Sequence, residues 1–229
     1  MNNIQFPNES DQYRKARNEL LQKEIELRKT IEKVSTLRRT LPQGGKLKNN
    51  YLFEEGATSL TDLETVKQTC FSELFEENKR SLVIYSFMYG PNMAEPCPAC
   101  TSILDGLNGS APHISERVNF VVVAKSPIQR VRKWAKTRCW TNLRLLSSSQ
   151  NTYNSDYHAE TESQEQIPAL NVFIKSESSI VHSYNTELLY MPTEDNQDPR
   201  HVDSLWPLWN IFDLTPNGRG KDWYPKLEY

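Results

Sequence analysis

The chain has 229 residues, of which 24% are charged, and a formal net charge of −2, so the whole molecule has no electrostatic reason to seek nucleic acid or an anionic membrane. Hydrophobic residues make up 37%, enough for one substantial core, and no apolar run approaches the length of a membrane span. The start, MNNIQFPNES, carries neither a basic nor an apolar leader segment, and four cysteines are too few for a secreted disulfide scaffold, so a soluble cytoplasmic protein is expected.

Residues 10–41 read as one amphipathic helix, opened by a cap at Ser10 or Asp11 and closed by Leu41-Pro42 and the Gly44-Gly45 turn. Leu20, Leu27, Ile31, Val34 and Leu41 recur at helical spacing, and Leu21 and Ile25 widen the stripe. Eleven Lys/Arg stand against six Asp/Glu between Met1 and Asn50, but the acidic residues are interleaved, which favours a solvated face over a nucleic-acid arm. The stripe suits packing on its own domain or a homodimer through the helix; Glu24 and Arg38 interrupt a strict heptad. The expected organisation is an N-terminal helical extension over 1–50, a main domain over 51–192, and a C-terminal extension over 193–229 packed on that domain.

Tyr51 to Phe53 suits a short strand, and Ser59 to Leu63 suits the entry to a helix running through Phe71 to Glu77, with Cys70 as inert core. The most informative stretch follows. Ser81 to Phe87 (SLVIYSF) is strand-like, a short loop (MYGPNMAEP) leads to Cys97-Pro98-Ala99-Cys100, and a helix-compatible TSILD comes after. A thiol at a helix N-terminus meets unpaired N–H groups and the positive end of the helix dipole, which favour the thiolate, so Cys97 is the candidate nucleophile. Cys100, one helical turn on, is placed to resolve a mixed disulfide. The competing readings are half of a zinc site and two incidental small residues. No second Cys-x-x-Cys exists, Cys70 and Cys139 stand alone, and His113, His158, His182 and His201 form no His-x(3 to 5)-His pair, so neither metal nor cofactor is expected.

Val118 to Ala124 (VNFVVVA) is a continuous apolar run, the mark of a strand buried on both faces. Pro127 opens a helix through about Thr137, and Leu143 to Leu146 is a third short strand, an order that implies parallel pairing. Residues 147–166 form a long polar loop in which Tyr153 and His158 are candidate substrate-binding residues, against the plainer reading that Tyr153 to His158 tie down a surface loop. Ile167-Pro168 precedes a strand to Ile174, and Ile180 to Tyr184 is its returning partner. In the tail, Trp206, Leu208, Trp209, Phe212 and Leu214 suit core packing. Arg219 suits stacking on Trp223 or pairing with Asp213 or Asp222 in preference to holding an anion. Cys139, between Trp134 and Trp140, is expected to be buried.

A central strand, Cys-x-x-Cys at a helix start, a βα unit, Ile-Pro and an antiparallel hairpin together resemble the thioredoxin superfamily. The resemblance implies an α/β thioredoxin-like fold with a central mixed sheet, Cys97 as nucleophile, Cys100 as resolving thiol, and Pro168 as a cis-proline at the substrate site. Within the superfamily, Tyr85 to Pro91, the dithiol, Tyr153 to Tyr157 and the tail Asp213 to Gly220 with Asp222 to Pro225 resemble an uncharacterised family whose members are labelled predicted dithiol-disulfide oxidoreductases. The element order is also similar to peroxiredoxins, but their Pro-x-x-x-Thr-x-x-Cys pattern places Ala94 at the threonine and Gly90 at the proline. The resemblance implies a thiol-disulfide oxidoreductase acting on a protein or small-molecule disulfide or thiol with a separate electron donor. The alternative is a redox-inactive thioredoxin-like binding module that associates through its N-terminal helix.

Overall fold

The structure is a computed structural model that describes residues 4–220 and 222–229. The chain divides into two compact units, Met1–Pro42 and Gln43–Tyr229. The division falls after Pro42 because residues beyond it are tied to the sheet: Leu47 N–H donates to Ile180 O (2.8 Å), and Lys46 bridges Val181.

The first unit is essentially one helix, α1 (Asp11–Arg39). Ser10 caps it, its hydroxyl accepting the Tyr13 N–H at 3.1 Å, and Arg38 and Arg39 complement the dipole in the last turn. Ion pairs Arg17–Glu24 and Lys23–Glu26 dress its surface. None of its residues is buried, and Leu20, Leu27, Ile31 and Leu37 are all more than half exposed.

The second unit is built on a seven-stranded sheet: β1 (Leu52–Gly56), β2 (Val66–Cys70), β3 (Ser81–Phe87), β4 (Asn119–Ala124), β5 (Leu145–Ser147), β6 (Ala169–Lys175) and β7 (Ile180–Asn185), in the order β2-β1-β5-β4-β3-β6-β7. Strands β3, β4 and β5 are parallel neighbours, with Leu82 opposite Asn119 and Val122 opposite Leu145. Parallel neighbours need crossovers, and these are α2 (Pro98–Ser115) and α3 (Ile128–Thr137). β6 runs antiparallel to β3, and β7 returns beside it as the expected hairpin. All six residues of β4 are buried, which is why that strand reads as an unbroken apolar run. The result is an α/β, thioredoxin-like fold: a central mixed sheet flanked by helices, with the dithiol at the start of the helix that follows the central strand.

The two faces of β3 enter different cores, as strand alternation requires. Tyr85 and Phe87 pack with Ile103, Leu104, Val131 and Trp140 under α2 and α3. Leu82 and Ile84 pack on the other side with Phe53, Phe71, Tyr153 and Phe173.

Three expectations need correction here. The stretch proposed as a helix from Ser59 to Glu77 instead contains β2, paired with β1 from Leu52↔Cys70 to Gly56↔Val66, followed by a single turn of 3-10 helix over Phe71–Leu74. The reason is long-range pairing: Thr69 hydroxyl donates to Glu55 (2.7 Å), whose carboxylate also receives Arg144 (2.8 Å), and this buried polar cluster outweighs local propensity. Cys139 is exposed, because the chain turns there with φ 56° at the end of α3 and only its neighbour Trp140 goes inward. Cys70 is half-buried at a strand end and is not part of the core.

The polar 147–166 segment is tied down internally. It includes a one-turn helix, α4 (Tyr153–Asp156), and Asn154 is wholly buried, accepting from Ser148 (2.7 Å) and donating to Gln166 (3.1 Å).

Candidate functional site

Cys97 is the N-cap of α2, with Pro98 at the first helical position, where the missing N–H costs nothing. Its sulfur accepts the Cys100 N–H at 3.5 Å, and its own N–H is held by Met88 O at 3.0 Å. The preceding loop is clamped from α3. Arg130 donates to the carbonyls of Gly90, Pro91, Met93 and Ala94 and lies over the Tyr89 ring at 4.5 Å, and Ser126 hydroxyl also donates to Gly90 O (3.0 Å). Gly90 also leaves room for the Gln166 side chain, since a Cβ there would stand 2.9 Å from Gln166 Cγ.

The two thiols are driven apart in acidity. The Cys97 value falls to about 6, first through its interaction with the Cys100 thiol and then through the Cys100 and Ala99 N–H groups, which outweigh the opposing cost of burial. Cys100, 1% exposed, is pushed well up, first by the neighbouring Cys97 sulfur and then by burial. One thiol is half-buried with its acidity raised; the other is buried and held protonated. The depressed Cys97 value sets the direction of linkage. Its contribution to the stability of the reduced protein is fully present above the ordinary thiol range and is lost as pH falls through about 6. Alkylation by iodoacetamide, followed by peptide mapping, is therefore expected to show Cys97 half-maximally reactive near pH 6, with roughly nine-tenths thiolate at pH 7. Half-maximal reactivity above pH 8 would contradict it.

Cys97 and Cys100 line a cavity of about 350 Å³ together with Tyr85, Met88, Ile103 and Pro168. The C-terminal extension contributes Trp206, Trp209 and Tyr224 to the lining. That extension is anchored by the buried Trp206, whose indole N–H donates to Ser102 Oγ on α2 (3.1 Å), and carries the short helix α5 (Pro207–Asp213). Arg219 also reaches the cavity, paired with Asp203 and Asp213 and set 5.8 Å from the Trp209 ring centre. Pairing with Asp213 fits the reading as an internally satisfied arginine; Asp203, not Asp222, is its second partner, and Trp209, not Trp223, its aromatic neighbour. The Tyr85 hydroxyl, 1% exposed, faces the two sulfurs and meets hydrogen-bond geometry with no protein group.

The sequence-derived candidates are thus divided by the sheet. Cys97, Cys100 and Pro168 come together. Tyr153 does not: it is 0% exposed in the opposite core, packed edge-on against Tyr51 (5.7 Å) and Phe53 (5.6 Å), so no substrate can touch it. His158 lines a separate cavity of about 490 Å³ with Tyr157, Asn171, His182 and Asn185. Asn171 stands opposite Ile84 in the β3–β6 register, and Ile84 belongs to the core on the face away from the dithiol. The cis-proline expectation also fails. No peptide bond among the described residues is cis, and Ile167 N–H, held by Ala159 O at 2.9 Å, leads the chain into β6 with Pro168 in the trans form.

Sequence reasoning missed Tyr85, Trp209 and Tyr224. Tyr85 has a signal in its alternation with Phe87, and the tail's aromatic density marks packing without saying against what. Among the described residues no group of three or more His, Cys, Asp or Glu gathers as a metal site would require, and no helix is long and apolar enough to cross a membrane.

Solved structures similar to this chain include Peroxidoxin BcpB from Mycobacterium tuberculosis, 16% identical over 72% of this chain and 94% of that one, with a TM-score of 0.44. Plasmodium yoelii thioredoxin peroxidase I is 15% identical over 79% of this chain and 99% of that one, TM-score 0.45. AhpC from Enterococcus faecalis is 11% identical over 80% of this chain and 98% of that one, TM-score 0.46. Likenesses this distant bear on neither activity nor substrate. No curated protein matches the chain. A family model described as "Bacterial protein of unknown function (DUF899)" matches residues 3–229, and the chain belongs to that family.

Proposed function

We propose that this protein is a thiol-disulfide oxidoreductase in which the Cys97 thiolate attacks a substrate disulfide and Cys100 resolves the mixed disulfide. The observation that carries the reading is the asymmetry of the pair: Cys97 caps α2 at the cavity with its acidity raised, while Cys100 waits one turn inside, buried and protonated. A thiol of ordinary acidity would be mostly protonated at neutral pH and serve poorly as nucleophile, and an exposed resolving thiol would compete with substrate. The test is equilibration of the pair against glutathione redox buffers with trapping of free thiols. A reversible two-electron transition lost in Cys97→Ser supports the reading, and its midpoint gives the direction of electron flow. Thiols that stay free across the whole range would refute it.

A second reading concerns α1, and the exposure of its apolar stripe favours it. Leu27 is 59% and Ile31 55% exposed on a helix with no buried residue. An isolated helix owes little stability to propensity alone, so this face calls for a partner, and a second copy of α1 supplies matching apolar residues. Sedimentation equilibrium is expected to show a dimer for the intact protein and a monomer for Leu27→Asp/Ile31→Asp. A monomeric intact protein would remove the association.

A further inference from the structure

We propose that the substrate of the dithiol is a small uncharged disulfide bearing apolar or aromatic groups, in preference to a disulfide of a folded protein or of an anionic peptide. This rests on the redox reading above and narrows it. Cys97 does not stand on an open surface. Cys97 and Cys100 line a recess together with Tyr85 and Ile103 and with Val202, Trp206, Trp209 and Tyr224 of the C-terminal extension. A volume of about 350 Å³ lies at the low end of the roughly 300–1,000 Å³ typical of small-molecule sites. The wall is fixed in place: Trp206 is buried and bonded to α2, and Trp209 packs edge-on against Trp206 (5.4 Å) and Trp223 (5.8 Å). A folded protein would have to bring its disulfide into this aromatic-lined recess to meet Cys97.

Charge narrows the class further. Among the described residues lining the recess, Arg219 is the one permanent cation, and its guanidinium is committed to Asp203 and Asp213, with Asp198 3.9 Å away. The pairing is strong enough to hold Asp213 at about 2, chiefly through its hydrogen bonds with Arg219. Among the described residues no free cation therefore lines the recess to receive the carboxylates of an anionic disulfide, and the additional acid Asp198 repels them. An apolar disulfide meets indole and phenol faces instead.

The chemistry balances within this recess. The Cys97 thiolate attacks one sulfur of R–S–S–R, the substrate S–S bond breaks, Cys97–S–S–R forms and RS⁻ leaves to take a proton from water. Cys100 then gives its proton to the hydroxide left by that step and attacks the Cys97 sulfur, closing the Cys97–Cys100 disulfide and releasing the second RS⁻. Two electrons pass from the dithiol to the substrate, and an external dithiol reductant returns them. The unpartnered Tyr85 hydroxyl lies beside Cys100, where it can donate to sulfur as negative charge develops there.

The experiment is single-turnover oxidation of the pre-reduced full chain by three probes: a neutral dithiodipyridine, anionic dithiobis(nitrobenzoate) and insulin. Rates are normalised to those of N-acetylcysteine with the two small reagents, and Cys97→Ser subtracts the other thiols. The expected result is a normalised preference of roughly a hundredfold for the neutral reagent, with insulin reduction no faster than in Cys97→Ser. Val202→Lys, which places a cation in the wall, is expected to cut that preference about tenfold. Equal normalised rates for the two reagents, or Cys97-dependent insulin reduction at a comparable rate, would overturn the substrate class and leave the oxidoreductase standing. Absence of any Cys97-dependent reaction would overturn both.

Discussion

Cys97→Ser is expected to abolish disulfide turnover, a loss of about three orders of magnitude or more, while Cys100→Ser stops the reaction halfway. The difference follows from where the two sulfurs sit. Cys97 lines the recess and is the more acidic thiol, so in the proposed mechanism its replacement removes the nucleophile altogether. Cys100 is 1% exposed and kept protonated until Cys97 is consumed, so its replacement leaves the first exchange intact and removes only the escape route. Intact-mass measurement after exposure to a small disulfide is expected to find a stable adduct of one substrate half on Cys100→Ser and none at this site on Cys97→Ser. Cys70 and Cys139 are the sources of background: Cys139 is exposed and Cys70 half-buried, so both are changed to serine in every variant of the series. Turnover by Cys100→Ser at the parental rate would show that a second molecule of thiol, and not Cys100, does the resolving.

Tyr153→Ala is expected to cost about 3–5 kcal/mol of stability, whereas Tyr153→Phe is expected to shift it by less than about 1 kcal/mol in either direction. The ring is the reason for the first figure. It is fully buried and sits among Tyr51, Phe53, Tyr157 and Phe173, at centroid distances from 5.2 Å (Tyr157) to 6.5 Å (Phe173), so its removal leaves a large void between α4 and the sheet. The hydroxyl is the reason for the second. It is buried with no hydrogen-bond partner, so the phenylalanine loses no bond and sheds a desolvated polar atom. Urea denaturation followed by tryptophan fluorescence separates the two variants. Tyr153→Phe is also expected to leave thiol-disulfide exchange unchanged, because the residue lies on the face of the sheet away from the dithiol. A large fall in exchange rate with stability intact would return Tyr153 to the substrate site.

The contrast between Tyr85 and Tyr153 shows where a single sequence is legible. Strand β3, β4, α2 and α3 each carry a local signature: an apolar run, a Cys-Pro step at a helix start, or a proline at a helix entry. These signals act within a few residues, and the structure follows them. β2 has no such signature. VKQTC holds one buried residue, Thr69, and becomes a strand because Leu52–Gly56 is available to pair with it and because Glu55 gathers Thr69 and Arg144 around itself. Polar loops likewise resemble one another in composition whether they are free or pinned, and Asn154, buried between Ser148 and Gln166, pins this one. Cys139 was obscured by its neighbours: one residue of a left-handed turn is enough to send Trp140 inward and the thiol outward.

By itself the sequence determined that a Cys-x-x-Cys pair stands where the central strand hands over to a helix, that the following units are parallel, and that an antiparallel hairpin completes the sheet. Those features depend on periodicity, capping and chirality, which are properties of neighbouring residues and of the backbone. The tertiary structure alone decided which face of the sheet each aromatic serves, that Cys100 is buried while Cys97 is half-buried at the recess, and that Asp203 is the second carboxylate partner of Arg219. It also decided that Pro199, Trp206, Trp209 and Tyr224 line the same recess as the thiols. Contacts such as Trp206 with Ser102 join residues more than a hundred positions apart, where no local pattern constrains the partner, and they set the electrostatics and the room that the dithiol has to work in.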